Sequence, residues 1–130
     1  ETVREGSDVT IIACGIMVNA ALEASRELAD TGVHCRILNM ATPKPLDEEA
    51  IAKAARDTGA IVTAEEHYIL GGLGSLVSQV VLREFPVPME SVALKGYTES
   101  GSADQLLAKY HLTPKDVEEA VRKVIGRKAY

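Results

Sequence analysis

Short runs of β-branched apolar residues alternate with amphipathic stretches along the chain, and this alternation constrains the fold more than any other feature. Val9–Ala13 is continuously apolar, as in parallel strands that are covered on both faces. Three further runs are predicted as strands, at Val33–Leu38, Ala60–Ala64 and Met89–Leu94. Because parallel neighbours need crossover connections, the pattern predicts an α/β fold, a mostly parallel sheet with helices on both faces.

The amphipathic stretches between the strands begin and end at residues typical of helix termini. The first has helical spacing from Val18 and is expected to end at Gly32 as a C′ glycine. Asp47 is the expected N-cap of the second, and Gly59 its stop. The third ends at Pro86. Its predicted buried face consists of Leu73, Leu76, Val77, Val80 and Val81.

The last helix has the strongest local signal. Thr113 as N-cap, Pro114 at the first helical position and Asp116 two positions later form a variant of the capping box. The helix is expected to end at Gly126, and a shorter one is expected at Ala103–Lys109. Its inward positions are Val117, Ala120, Val121 and Val124.

Length and composition exclude several classes of protein. A chain of 130 residues without repeats or linkers fits a single domain over residues 1–130. The net charge of −5 and the absence of Trp argue against nucleic-acid binding. No run approaches the length of a membrane span, and the polar start is unlike a signal peptide. Cys14 and Cys35 lie in apolar runs and are expected to be buried free thiols, which favours a cytoplasmic protein.

In open parallel sheets, ligands bind beyond the carboxyl ends of the strands. The segments to inspect are therefore Cys14–Val18, Asn39–Thr42, Glu65–Gly74 and Lys95–Gly101.

The densest polar cluster is Glu65-Glu66-His67-Tyr68, at the end of the third predicted strand. Two carboxylates and an imidazole can do acid–base work or bind a metal. Adjacent strand residues point to opposite faces, however, so Glu65 and Glu66 cannot share one site without a bend. The alternative is a strand-end acid that caps backbone amides, beside a histidine at an interface. The sequence favours this structural or contact role.

A glycine-rich turn, Gly71-Gly72-Leu73-Gly74, precedes the third helix. Helix N-terminal amides can bind a phosphate, so an anion- or nucleotide-binding regulatory module is one reading of this turn. The turn matches neither the dinucleotide fingerprint nor a Walker A motif. Close backbone packing or an unusual φ angle is the favoured reason for these glycines.

Four segments taken in order resemble transketolase C-terminal domains. They are Gly6–Gly15, Asn39–Asp47, Thr63–Tyr68 with Gly71–Gly74, and Glu99–Gly101 before Leu106-Leu107, and the resemblance runs from about Val3 to Ile125. The same domain type closes 1-deoxyxylulose-5-phosphate synthase and the β subunits of 2-oxoacid dehydrogenases. His67-Tyr68 and the Glu-Ser-Gly segment favour transketolase, in the version whose halves are separate polypeptides.

The resemblance implies a three-layer α/β/α sandwich whose five-stranded sheet has one antiparallel edge strand, near Thr2–Arg4. It also implies a parent enzyme, a homodimer of the pentose phosphate pathway, that transfers two-carbon ketol units between sugar phosphates. That enzyme uses thiamine diphosphate and Mg²⁺, bound by its pyrimidine-binding and diphosphate-binding domains. No catalytic, cofactor-binding or metal residue is therefore assigned to this chain.

What remains for the domain, by this resemblance, is packing against the pyrimidine-binding domain and contributing to the dimer. The interface residues that we expect are Glu66, His67, Tyr68, Gly71, Gly72 and Gly74.

Overall fold

The computed structural model describes residues 1–15, 17–40, 46–68, 72–94 and 114–128, with the backbone alone at 66–68 and 93–94. Along the chain the elements are β1 (Thr2–Arg4), β2 (Val9–Ala13), α1 (Met17–Ala29), β3 (Cys35–Asn39), α2 (Glu48–Thr58), β4 (Ile61–Tyr68), α3 (Leu73–Glu84), β5 (Met89–Leu94) and α4 (Pro114–Gly126). Within these ranges, none of the helices has the length and apolar character needed to cross a membrane.

The described strands form one five-stranded sheet in the order β1-β3-β2-β4-β5. β2, β3, β4 and β5 run parallel, and β1 pairs antiparallel with β3 at one edge. This confirms the α/β class, the mostly parallel sheet and the antiparallel edge strand. β1 is held in register with β3 through Thr2 opposite Leu38 and Arg4 opposite Ile37, with an irregularity between them.

Side chains that alternate along the strands build two cores, one on each face of the sheet. On one face Val9 and Ile11 of β2 pack with buried residues of α1 and α4, such as Leu28 and Val121. On the other face Ile12 of β2 packs with buried residues of α2 and α3. The result is the three-layer sandwich, in which β2 and the first half of β4 are covered on both faces.

The predicted ends of α2 are confirmed at atomic detail. Asp47 Oδ1 accepts a hydrogen bond from the Ala50 amide at 3.1 Å. Gly59 adopts a left-handed conformation with φ 72°, and its N–H donates to the Ala55 carbonyl. A side chain at Gly59 would strain this backbone, which explains why glycine ends the helix.

The predicted C′ glycine of α1 is confirmed: in the turn after Ala29 the Val33 amide donates to the Leu28 carbonyl and the Gly32 amide to the Ala29 carbonyl, and Gly32 has φ 88°. Two predicted strand boundaries differ from the structure. β3 begins at Cys35, because the Val33 amide is used by the Leu28 carbonyl in that turn. β4 continues to Tyr68, because its pairing with β5 resumes at Tyr68 and Leu94 after an irregularity.

The last helix agrees with its predicted bounds, since α4 runs from Pro114 to Gly126. Its four predicted inward residues are all buried. The expected N-cap at Thr113 and the helix expected at Ala103–Lys109 lie outside the described residues.

Candidate functional site at the carboxyl end of the sheet

Glu65 is the central feature of the carboxyl end of the sheet. It lies on β4 between β2 and β5, and its side chain is almost fully buried, with 1% exposed. One carboxylate oxygen, Oε2, accepts a hydrogen bond from the Gly74 amide at 2.8 Å. Among the described residues the other oxygen, Oε1, has no hydrogen-bond partner. The strand therefore supplies a hydrogen-bond acceptor to the N-terminus of α3.

This contact confirms one of the two roles that the sequence analysis weighed for Glu65. A carboxylate at a helix N-terminus satisfies an amide that has no intrahelical acceptor and also interacts favourably with the helix dipole. The N-cap residue, Gly72, has no side chain to do so. Glu65, nine positions before Gly74 in the chain, accepts the hydrogen bond instead.

Gly74 fits the expectation of close backbone packing. A Cβ atom built on it would lie 3.0 Å from Ser91 Oγ and 3.1 Å from Thr63 Oγ1, two hydroxyls that hydrogen-bond to each other at 2.9 Å. Gly72 is extended, with φ −89° and ψ −171°, so its backbone needs no glycine. Gly71 lies outside the described residues. Gly74 is thus explained by contacts inside this chain.

The hydrogen bonding at the start of α3 does not favour a bound anion. A phosphate there needs free helical amides, whereas the Gly74 amide is already bound to a buried carboxylate. In the parts of the chain that the structure describes, no three His, Cys, Asp or Glu side chains come together as metal ligands. These residues do not fit a diphosphate–metal unit.

Glu66, His67 and Tyr68 belong to β4 itself, and the irregularity in its pairing with β5 falls between Glu65 and Tyr68. The structure thus places their backbone at the carboxyl end of the strand, next to Glu65 and before α3. Their side chains are outside what the structure describes, so their role as contact residues stays a prediction.

The other inspected segments add apolar and backbone contacts. Cys14 and Met40 are buried at the ends of β2 and β3, and the Met40 amide donates to the Ala13 carbonyl. Cys14 and Cys35 are both buried and form no disulfide, as expected. Burial raises the pKa of Cys35 to about 11, so it is a poor nucleophile at neutral pH. Residues 41–45 and 95–113 lie outside the described ranges.

Sequence reasoning missed two features at the opposite end of α3. Leu82 is 72% exposed and Phe85 is 41% exposed. The sequence did contain a signal for this exposure, because Leu82 falls outside the apolar face of that helix. It also missed Glu90 of β5, which pairs with Lys123 and Arg127 of the last turns of the chain. Neither contact has a local motif.

A family model described as "Transketolase, C-terminal domain" matches residues 1–117. A 6-deoxy-6-sulfo-D-fructose transketolase subunit SqwH from Clostridium sp. (strain MSTE9) is 44% identical over 98% of the chain and 40% of its own length. A 1-deoxy-D-xylulose-5-phosphate synthase from Heliobacterium modesticaldum is 39% identical over 95% of the chain and 20% of its own length. The chain thus spans well under half of these relatives.

Solved structures agree with the fold. A split-gene transketolase, described as an inactive β4 tetramer, superimposes with a TM-score of 0.95 at 44% identity, covering 99% of this chain and 43% of that one. A transketolase variant from Pichia stipitis gives a TM-score of 0.76 at 20% identity, covering 97% of this chain and 18% of that one, a likeness of fold alone.

Proposed function

The chain belongs to the transketolase C-terminal domain family, and we propose that it ends the second polypeptide of a split transketolase. The parent enzyme transfers two-carbon ketol units between sugar phosphates. The observation that best supports this is the 44% identity, over 98% of the chain, to a protein named as a transketolase subunit.

In this proposal, thiamine diphosphate and Mg²⁺ are bound by the pyrimidine-binding and diphosphate-binding domains of the same enzyme. The cofactor supplies the chemistry that makes and breaks carbon–carbon bonds. The role of this chain is structural. The strongest support from its own residues is Glu65, because this buried carboxyl group is hydrogen-bonded to the Gly74 amide of α3.

We place the contact with the pyrimidine-binding domain at the carboxyl end of β4 and the turn that follows. Glu66, His67 and Tyr68 are the contact residues proposed there, because they form the carboxyl end of β4. Gly71, Gly72 and Gly74 of the glycine-rich turn complete the proposed contact. The assembled enzyme is a homodimer of such units in the cytoplasm.

The complete enzyme provides the test. Ketol transfer between a ketose phosphate and an aldose phosphate should require added thiamine diphosphate and Mg²⁺. Turnover that is indifferent to thiamine diphosphate would contradict the proposed activity.

The contact residues are tested separately with Tyr68→Ala, which should weaken assembly with the pyrimidine-binding domain and lower activity in parallel. Tyr68→Phe keeps the ring and serves as the matched control. If Tyr68→Ala assembles and reacts like the unaltered enzyme, Tyr68 is not at the contact.

A second candidate is 1-deoxyxylulose-5-phosphate synthase, because one such enzyme is 39% identical over 95% of the chain. A 2-oxoacid dehydrogenase β subunit has the same terminal domain type. Product analysis separates these activities: 1-deoxyxylulose 5-phosphate, or an acyl group formed from a 2-oxoacid, would replace the transketolase assignment.

A further inference from the structure

A small cavity lies at the β1 edge of the sheet, between that edge and α2. Its volume is about 160 Å³, well above the space that one buried water needs. The residues that line it are Thr2, Glu5, Arg36, Leu38, Ala50 and Lys53. In the sheet order, β3 and β2 separate β1 from β4. The cavity is therefore remote from the contact proposed at the carboxyl end of β4.

Arg36 of β3 is the most buried cation of this cavity. Its side chain is only 16% exposed, and its Nη1 atom donates to Asp57 Oδ2 at 3.0 Å. Its Nε atom is fully buried, and within the described ranges it has no hydrogen-bond acceptor. A buried N–H group without an acceptor destabilises a folded chain. This atom therefore marks a position at which an acceptor would be bound favourably.

Two cations at this cavity share one carboxylate. Lys53 Nζ donates at 2.6 Å to the same Asp57 oxygen that Arg36 uses. The hydrogen bond from Lys53 first, and then the one from Arg36, lower the pKa of Asp57, so this carboxylate is ionised at neutral pH. Two positive charges against one negative charge leave one positive charge in excess.

Glu5 supplies the remaining counter-charge, but it does so weakly. Its Oε1 atom lies 3.6 Å from Arg36 Nε, which is an ion-pair distance and too long for a hydrogen bond. The Glu5 side chain is 80% exposed, and an ion pair with so exposed a partner contributes little to stability. A free carboxylate can therefore displace Glu5 from Arg36 at little cost.

We propose that this cavity binds a small aliphatic carboxylate anion. The carboxylate accepts a hydrogen bond from Arg36 Nε in place of Glu5, in the charge-assisted pairing that guanidinium groups form with carboxylates. The mostly exposed Lys53 adds a second positive charge. Leu38 and Ala50, which also line the cavity, provide an apolar wall for a short hydrocarbon tail.

The charge of the cavity favours an anion with a single negative charge. Once Glu5 is displaced, one carboxylate neutralises the one positive charge that Arg36 and Lys53 have in excess over Asp57. Hydrogen phosphate, with two negative charges, would be repelled by Asp57 and by the nearby Glu5. The inference goes beyond the proposed function, because this ligand is neither a sugar phosphate nor the cofactor of ketol transfer.

The proposal is tested by titrating propionate into the isotope-labelled whole chain at neutral pH and constant ionic strength. The Arg36 Nε–H signal and the amide signals of Leu38 and Ala50 in the NMR spectrum should shift together and saturate in the millimolar range. Phosphate and chloride should bind at least about fivefold more weakly, because only propionate buries a hydrocarbon tail. The absence of a saturable shift at Arg36 Nε, or equal affinity for phosphate, overturns the proposal.

Three substitutions identify the site. Glu5→Gln should strengthen propionate binding by about threefold or more, because the competing carboxylate is removed, and Lys53→Met should weaken it by a similar factor, because a positive charge is lost. Arg26→Gln, which removes an exposed cation from α1 on the other face of the sheet, is the matched control and leaves binding unchanged. Thermal unfolding of each variant checks that the fold is retained. If Glu5→Gln binds propionate no more tightly than the unaltered chain, the anion does not replace Glu5 and the proposal is wrong.

Discussion

At the scale of single residues, Glu65 has the least ordinary environment in the described part of the chain. A carboxylate almost without exposure forms one hydrogen bond, to Gly74, through one of its two oxygens. Burying a charge is costly unless hydrogen bonds and nearby dipoles compensate. The N-terminus of α3 provides both an amide donor and the positive end of a helix dipole, and Gly74 allows the helix to approach.

Glu65→Ala should lower the free energy of unfolding by about 1.5–3 kcal/mol, because the Gly74 amide is left buried without an acceptor. Chemical denaturation measures the change. Glu49→Ala, an exposed acid in the first turn of α2, is the control and should cost about 0.5 kcal/mol or less. Equal losses in the two variants would show that the Glu65 contact is energetically unimportant.

A second residue-scale prediction concerns Glu118 of α4, which hydrogen-bonds to Glu27 of α1. That hydrogen bond first, then burial and the charge of Glu27, raise the pKa of Glu118, while Arg122 and Lys115 oppose the shift. The folded chain thus holds this proton to a higher pH than the unfolded chain. The contribution of this pair to the free energy of unfolding is fully present below pH 4.5, the ordinary pKa of glutamate. It declines as the pH rises through the raised pKa of Glu118.

Glu118→Gln should flatten this decline, because an amide keeps a hydrogen bond to Glu27 without a proton to lose. Denaturation midpoints measured from acid to neutral pH, with Glu49→Gln as the control, give the comparison. Parallel profiles for Glu118→Gln and the unaltered chain would contradict the shared-proton interpretation.

At the scale of elements, the link between β1 and β2 packs directly on the start of β3. A Cβ atom on Gly6 would lie 2.3 Å from the carbonyl carbon of Cys35, far inside van der Waals contact. Two residues later, the Asp8 side chain accepts a hydrogen bond from the His34 amide at 2.7 Å, and the Asp8 amide donates to the His34 carbonyl at 3.0 Å. The short strand β1 therefore depends on a glycine at this position.

Gly6→Ala should lower the free energy of unfolding by about 1–3 kcal/mol or more, because backbone atoms of β3 must move. Gly126→Ala is the matched control. A Cβ there meets nothing within 4 Å at the end of α4, so the change should be neutral or slightly stabilising. If both substitutions are neutral, the link is looser than the structure indicates.

At the scale of the whole molecule, Arg127 and Lys128 connect the end of α4 to residues that are distant in sequence. Lys128 Nζ donates to the Asp8 carbonyl at 2.9 Å, and Arg127 binds Glu90 and the Met89 carbonyl. These contacts join α4 to the start of β2 and to β5. Glu65, at the other end of the sheet, likewise has its hydrogen bond within the chain.

Titration of the whole chain with phosphate, thiamine diphosphate or a nucleotide should therefore give no saturable binding in the micromolar range. The amide that an anion would use at α3 is bound to a buried carboxylate. Calorimetry of the intact chain is the measurement. Saturable micromolar binding would favour the anion- or nucleotide-binding module instead.

The alternation of apolar runs and amphipathic stretches was enough to predict the α/β class and the parallel strands β2 to β5. Local chemistry was enough for the ends of α2 at Asp47 and Gly59, because such caps involve residues within a few positions of one another. The antiparallel β1 came from the family resemblance. The bounds of β3 and β4 were less accurate, because the turn at Leu28 and the pairing of Tyr68 with Leu94 depend on neighbours distant in sequence.

The sequence by itself thus determined that β2 to β5 are strands, that the segments between them are helices, and which faces of these are buried, since periodicity and capping are local properties. Only the tertiary structure decided that Glu65 accepts a hydrogen bond from the Gly74 amide, that Lys123 and Arg127 pair with Glu90, and that Leu82 and Phe85 are exposed. Each of these depends on which elements become neighbours in space. That choice is made by the packing of two cores across the sheet, and no short motif records it.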